Sequence, residues 1–444
     1  MKVYRWHHAE VTVLRLHTVR VGGHGYYVDD LPYGREAGNG LAGESPGRWM
    51  GDGAAVLGLS ERVEPEAFAR VLSGSDPLSG QALSVWRDRV TVAGYDLVFC
   101  APKSVSLLHA LGPRELASAV GDGHDAAVQA TADYLARAAL GVRRRGHGPS
   151  RALATTGMVG GAFVHRTSRA LDPHLHTHVV AANLAQGVDG VWSAVHGRGL
   201  FAHMKAAGRL YQAQLRHELT DRLGVAWDVR PDGLGDVVGV APGLRGLFSQ
   251  RSADIKAYVA ERSGRASAGG AFYATRPEKD RTASWEALVP EWRHRAGELG
   301  YDVGALSRVV GLGHDQNVFD ADLLQVAVAE RARPDATLSR RDLLSAVATA
   351  HVGGAHVSDI EGAVDRLCAE VRPHDGDGSG FPRWPAPAIA DAVRARAGEL
   401  TPQTEQRGVG RGARERPDRS RTVPSRAPRL PGRQRHGPEL GMGR

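Results

Sequence analysis

Four histidines stand close together in "FVHRTSRALDPHLHTHVVAANL" (residues 163–184): His165, His174, His176 and His178. In an extended strand alternate side chains share a face, so His174, His176 and His178 line one side. Neighbours in that row are about 6.6 Å apart along the strand, from a rise of about 3.3 Å per residue. Two imidazoles at that spacing can converge on one ion, and a further ligand then has to come from a neighbouring strand. His165 is the candidate, because "GMVGGAFVHRTS" precedes the row by a short connection and can pair with it antiparallel. Three neutral nitrogens leave coordination positions free for water or substrate oxygens, which is the arrangement of a catalytic metal site. A lone H-x-H is more often a partly exposed strand pair than a metal site; the third in-line histidine and His165 upstream shift the balance towards metal. On spacing alone, a cupin-like metal enzyme or a metal-storage site fits as well as a nuclease.

The elements that must position these side chains follow from local pattern. "GYDLVF" (94–99) reads as a strand, and 152–167 and 174–184 as two more. "PKSVSLLHAL" reads as a helix with Pro102 at its first position and Gly112 just past its end. Residues 113–143 look helical, and 203–224 form a helix stopped by Gly224. Further on, Ser339 and Ser358 are candidate N-caps of two more helices. The expected fold class is α+β, with a central antiparallel sheet carrying the histidine strands and helices packed on it. The expected organisation is a main domain over 1–305, a small mostly helical region over 306–395, and a disordered Arg/Pro-rich tail over 396–444.

Composition narrows the function classes. The chain has 444 residues with 42% hydrophobic and 24% charged, enough for a sizeable core. No run of apolar residues is long enough to span a bilayer, and the N-terminus lacks an apolar signal segment, so no membrane insertion and a cytoplasmic setting are expected. The two cysteines, Cys100 and Cys368, offer neither a disulfide framework nor a thiolate metal site. Residues 401–444 hold 11 Arg against four acids, which accounts for the whole formal charge of +7. Any nucleic-acid footprint in the remainder must come from local patches.

"FVHRTSRALDPHLHTHVV" closely resembles the histidine motif of conjugative relaxases of the TrwC/TraI type, the MobF class of HUH endonucleases. "YDLVFCAPKSVSLLHALG" (95–112) resembles that family's second motif, and "GGHGYY" (22–27) its N-terminal tyrosine motif. "PGRWMGDGAAVLGLSERV" and "WSAVHGRGLFAHMKAAGRLYQAQLRHELTDRLGVAW" continue the likeness, which runs from about residue 11 to 300. The resemblance implies metal ligands at His165, His176 and His178, with His174 a flanking residue. It implies that Asp96 orients a ligand histidine and helps deprotonate the nucleophile, and that the nucleophile is Tyr26 of the Tyr26–Tyr27 pair. The implied reaction is site- and strand-specific nicking at an origin of transfer, through a 5′-phosphotyrosyl intermediate, with one divalent metal ion. Mg²⁺ or Mn²⁺ is the expected ion, with Zn²⁺ or Ni²⁺ as alternatives. A phenol with a pKa near 10 needs a base or cation nearby to attack at neutral pH.

Side chains suited to a single-strand groove are Arg48, Trp49, Trp86, Arg166 and Arg169, although core packing is at least as good a reading for the Trp residues. Lys103 opens a helix, where it either meets a DNA phosphate or is simply solvated, and Arg251 in "FSQRSADI" is similar to a basic, DNA-binding position in relatives. Larger relatives carry a second tyrosine pair, whereas "VDDLPYGREAGNG" offers only Tyr33. None of the five lysines follows a glycine, so the phosphate loop of a helicase is absent and no ATP is expected. The implied partners are single-stranded origin DNA, accessory relaxosome proteins and a separate helicase, with the protein exported alongside the transferred strand. A rolling-circle replication initiator shares this chemistry, and a catalytically inactive single-strand-binding remnant is the reading from another class.

Overall fold

The computed structural model describes residues 13–21, 47–84, 90–144, 151–262, 270–271, 274–275, 283–313, 319–329, 337–374 and 382–396. The Tyr26–Tyr27 pair, Tyr33, Trp86 and the expected disordered tail beyond 396 lie outside these residues.

The site rests on one five-stranded sheet. Its strands are β1 (Leu14–Arg20), β2 (Arg48–Met50), β3 (Val92–Cys100), β6 (Gly160–Thr167) and β7 (Pro173–Ala182). Their order across the sheet is β1-β3-β7-β6-β2, with every neighbouring pair antiparallel. Two short strands form a separate ribbon, β4 (Val142–Arg144) with β5 (Arg151–Leu153). β7 is the middle strand, so its backbone is held on both edges, and its side chains decide what each face carries. Its first half alternates half-buried histidines with buried Leu175 and Thr177, the period-2 signature read from the sequence.

The two faces are covered unequally. Leu97, Phe99, Leu175, Val179 and Ala181 face a large core shared with the helices α3 (Lys103–Leu111), α4 (Arg114–Ala138) and α5 (Arg198–Leu223). On the other face Trp49, Phe163, Val180 and Ala182 form a smaller cluster with Phe68, Val71 and Leu72 of α2 (Pro65–Leu72), which follows the short α1 (Asp52–Val56). The histidines project from this second face, at the opposite end of β7 from Val180 and Ala182.

Local chemistry explains most boundaries. Gly224 adopts the left-handed conformation at φ 61° and ends α5, as its sequence position predicts. The expected strand over 152–167 divides into β5 and β6, because Gly157 at φ 141° turns the chain against Asp52, where a Cβ would lie 2.8 Å from the Asp52 Cβ. The helix expected over 113–143 stops at Ala138, since Val142–Arg144 is taken up by the β4–β5 pairing. Pro102 sits at the N-cap of α3 and not inside it.

Beyond residue 240 come α6 (Pro242–Leu247), α7 (Gln250–Glu261), α8 (Trp285–Glu298), a 3₁₀ turn (Val303–Val309), α9 (Ala321–Ala329), α10 (Arg340–Ala350), α11 (Val357–Glu370) and α12 (Ala386–Arg396). Ser339 caps α10 through a reciprocal bond with Asp342, as expected. Ser358 caps nothing: α11 starts one residue earlier, with His356 at the N-cap. The described part of 306–395 packs into the same large core, with Leu344, Val347 and Ile360 fully buried in it. Arg216 of α5 is buried there, and its guanidinium donates to the carbonyls of Gly233, Ala348 and His351. No helix among the described residues is long and apolar enough to cross a membrane.

Candidate metal centre

The β6–β7 register sets His165 directly opposite His176, and Phe163 opposite His178. Directly paired residues share a face, so three imidazoles meet across one strand pair. The His165–His176, His165–His178 and His176–His178 ring centroids are 5.3, 5.1 and 5.3 Å apart, a nearly equilateral triangle. One ligand nitrogen from each can be chosen so that all lie within 4.8 Å of one another. The pairing shifts register between His165 and Thr167, an irregularity immediately beside the site.

Outer hydrogen bonds fix two of the rings. His178 Nδ1 donates to both carboxylate oxygens of Asp96, at 2.9 and 3.0 Å. His176 Nδ1 donates to the His174 carbonyl at 2.9 Å. Each bond occupies Nδ1 and leaves Nε2 as the nitrogen available to an ion, the arrangement of metal-bound histidines with their outer partners. Burial, then the adjacent His178, pushes His176 down to about 3, so it is a neutral ligand at physiological pH. Three imidazoles, two of them oriented by outer acceptors, fit a divalent ion with open positions.

His174 stands outside the triangle. Its ring stacks on His176 at 4.8 Å, and its carbonyl, not its side chain, serves the site. The in-line reading of 174, 176 and 178 therefore gives way to a set drawn from two strands. Sequence reasoning passed over β1: His17 pairs with Asp96 and Arg15 with Val98, which brings both to the histidine face. The alternation in "LRLHTV" is the signal that reveals them. On the reverse face, Thr177 Oγ1 lies 2.8 Å from His124 Nε2, and His124 Nδ1 lies 2.9 Å from the Tyr211 hydroxyl.

The residues expected to touch DNA are scattered among several tasks. Trp49 is buried against Phe68 at 5.9 Å, so the expectation of a base-stacking ring is corrected: the ring fills the smaller core. Lys103 turns inward, donating to the Pro173 carbonyl at 2.6 Å, and burial draws it down to about 8. Arg48 donates to Gln129, Arg251 to the Thr275 carbonyl and hydroxyl, and Arg166 lies 4.3 Å over the Trp285 ring. Arg169 is half-buried in the β6–β7 turn.

Comparison with known proteins decides which family uses this arrangement. The TrwC relaxase family model matches residues 15–299. The chain belongs to the TrwC relaxase family. The multifunctional conjugation protein TraI of Escherichia coli is 34% identical over 273 residues, 58% of this chain and 15% of TraI; the strain K12 protein is 33% identical over the same length. This chain thus spans a small part of the length of those curated relatives. Among solved structures, the conjugative relaxase TrwC in complex with OriT DNA, metal-free, is 31% identical with a TM-score of 0.56, covering 65% of this chain and 99% of that one. Its metal-bound form is 30% identical with a TM-score of 0.57 and the same coverage. The relaxase fold, with its antiparallel sheet, is therefore the architecture described above.

Proposed function

We propose that this relaxase-family chain is a metal-dependent DNA nickase and strand transferase acting at an origin of transfer in conjugation. The observation that carries the reading is the triangle of His165, His176 and His178, with Asp96 bonded behind His178. TrwC structures have been solved with OriT DNA and in a metal-bound form, which supports both the substrate class and the binding of a metal ion. When bound, the ion supplies a positive charge that polarises one DNA phosphate and offsets charge gathering on its oxygens.

The chain's own residues do the rest. His165, His176 and His178 would hold the ion, and Asp96 fixes the His178 ring by accepting a hydrogen bond from its Nδ1–H. The Tyr26 oxygen attacks phosphorus; the P–O3′ bond breaks, the 5′-phosphate stays on the tyrosine, and the phenol proton passes to the departing 3′ oxygen. Because the phosphodiester is exchanged and not hydrolysed, the reverse attack by a 3′-OH rejoins strands without ATP. Tyr27 or Tyr33 serves any second attack. The nitrogen ligand set binds Zn²⁺ or Ni²⁺ more strongly than Mn²⁺, so Mg²⁺ or Mn²⁺ acts through abundance and not affinity. Accessory relaxosome proteins and a helicase activity complete the process in the cytoplasm, from which the protein leaves attached to the strand.

The test is incubation of the full chain with a single-stranded origin oligonucleotide and Mn²⁺. A covalent protein–DNA adduct that vanishes in Tyr26→Phe is the expected result. Retained DNA binding with no adduct for any origin sequence overturns the reading in favour of an inactive remnant.

A further inference from the structure

Every candidate ligand lies on one hairpin, β6–β7, and that hairpin is gripped at its turn. The turn closes on itself through Ser168, whose N–H donates to the Asp172 carbonyl at 2.9 Å and whose Oγ accepts from the Ala170 and Asp172 N–H groups at 3.2 Å each. Leu171 is left at φ 57°, a region that a branched apolar side chain occupies only when its surroundings impose it. Those surroundings are three helices, each holding one of three successive residues. Trp292 of α8 donates its Nε1–H to the Leu171 carbonyl at 2.9 Å. The Gln250 N–H, at the start of α7, donates to Asp172 Oδ2 at 2.8 Å. Lys103 of α3 donates to the Pro173 carbonyl at 2.6 Å.

Asp172 is the centre of this grip. It is 1% exposed, two residues before the His174–His178 row. The Arg295 guanidinium stands 3.8 Å from Oδ1, an oxygen that accepts no hydrogen bond among the described residues. A buried carboxylate is a costly way to close a turn that Asn or Gly would also close. Its charge, however, attracts Arg295, Lys103 and the positive end of α7 together, which a neutral side chain cannot do.

We propose that Asp172 is a positioning residue of the metal centre: its carboxylate clamps the β6–β7 hairpin to α3, α7 and α8, and so sets the spacing of His165, His176 and His178 before any ion arrives. The proposal rests on the reading above only in taking those histidines as the ligands. Asp172→Asn keeps the shape and the acceptor for Gln250 but removes the charge. Calorimetric titration of the full chain with Mn²⁺ alone is expected to show affinity about 10-fold weaker in Asp172→Asn, in the range found when outer partners of metal ligands are removed. Amide hydrogen exchange of the metal-free protein is expected to quicken across 165–178. Trp292→Phe, which deletes the donor to Leu171 while filling the same core, is expected to move both readouts the same way. Leu367→Ala, under α11, lowers overall stability without touching the turn, and is expected to leave Mn²⁺ affinity unchanged. Equal affinity and equal hairpin exchange in Asp172→Asn and wild type overturn the clamp, as does an equal loss of affinity in Leu367→Ala. A wild-type chain that binds Mn²⁺ but nicks no DNA overturns the nickase reading while the clamp stays measurable; one that binds no Mn²⁺ overturns both.

Discussion

β7 shows what distinguishes a ligand histidine from a structural one, because it has one of each kind against its opposite faces. Behind the strand, His124 has no exposure, and both ring nitrogens are engaged by neutral hydroxyls, Thr177 on one side and Tyr211 on the other. Burial pushes it down to about 3, so it stays uncharged. In front of the strand, His176 and His178 each commit one nitrogen to an outer acceptor and turn the other towards two further imidazoles. Thr177 lies between them in sequence, so the two arrangements are separated by a single pleat. Burial alone does not mark a functional histidine. A spare nitrogen facing other spare nitrogens does.

The comparison can be broken from either side. His178→Ala removes a ligand outright and is expected to abolish Mn²⁺ binding and adduct formation together, read by calorimetry and by a gel-shift of denatured protein–DNA conjugates. His124→Ala should do the opposite: it leaves two buried hydroxyls without a partner and a void, costing about 2–4 kcal/mol of unfolding free energy, while the ligand set survives. Chemical denaturation checks the first half, and a metal titration the second. Asp96→Asn, which weakens the acceptor behind His178, is expected to weaken metal affinity by about 10–100-fold. An Asp96→Asn protein with wild-type affinity would show that the carboxylate serves only the nucleophile.

Acid provides a gentler probe. His124 is held to about 3 and His351 to about 4, in both cases chiefly by burial, against an ordinary value near 6.5. Below about pH 6.5 the unfolded chain therefore binds protons that the folded chain refuses, and stability falls as pH drops towards about 4. The urea midpoint should decline across that window, and less steeply in His124→Ala. The smallest effect is reserved for His174→Ala, expected to leave Mn²⁺ affinity unchanged because only its carbonyl supports His176.

Much of the centre was readable from residue order. Period-2 alternation placed the histidines on one face, and a short connection placed His165 on the adjoining strand, because pleat and hairpin geometry are local properties of the chain. Asp96 is legible through the resemblance of "YDLVFCAPKSVSLLHALG" to the relaxase second motif, and it is 3% exposed. What order could not convey was contact over long sequence distances. Trp49 and Arg166 have the composition of a nucleic-acid groove, yet Phe68 and Trp285 occupy them, and neither pairing has a periodic signature. His17 and Arg15 escaped for a related reason: their place beside Asp96 and Val98 depends on the register of β1 against β3. The bonds that grip Leu171 to Pro173 come from residues 103, 250 and 292, each invisible from the turn itself.

Arg216 carries a practical consequence for anyone dividing this chain into parts. The family match ends at residue 299, but two of the three carbonyls that receive its guanidinium belong to Ala348 and His351. A fragment cut at the family boundary would keep the cation and discard two of its three acceptors, leaving a charged group inside an apolar helix packing with only the Gly233 carbonyl to donate to. The smallest piece worth expressing therefore runs through α12, and the last ninety-odd residues of that piece are as much a part of the relaxase core as the strands that carry its histidines.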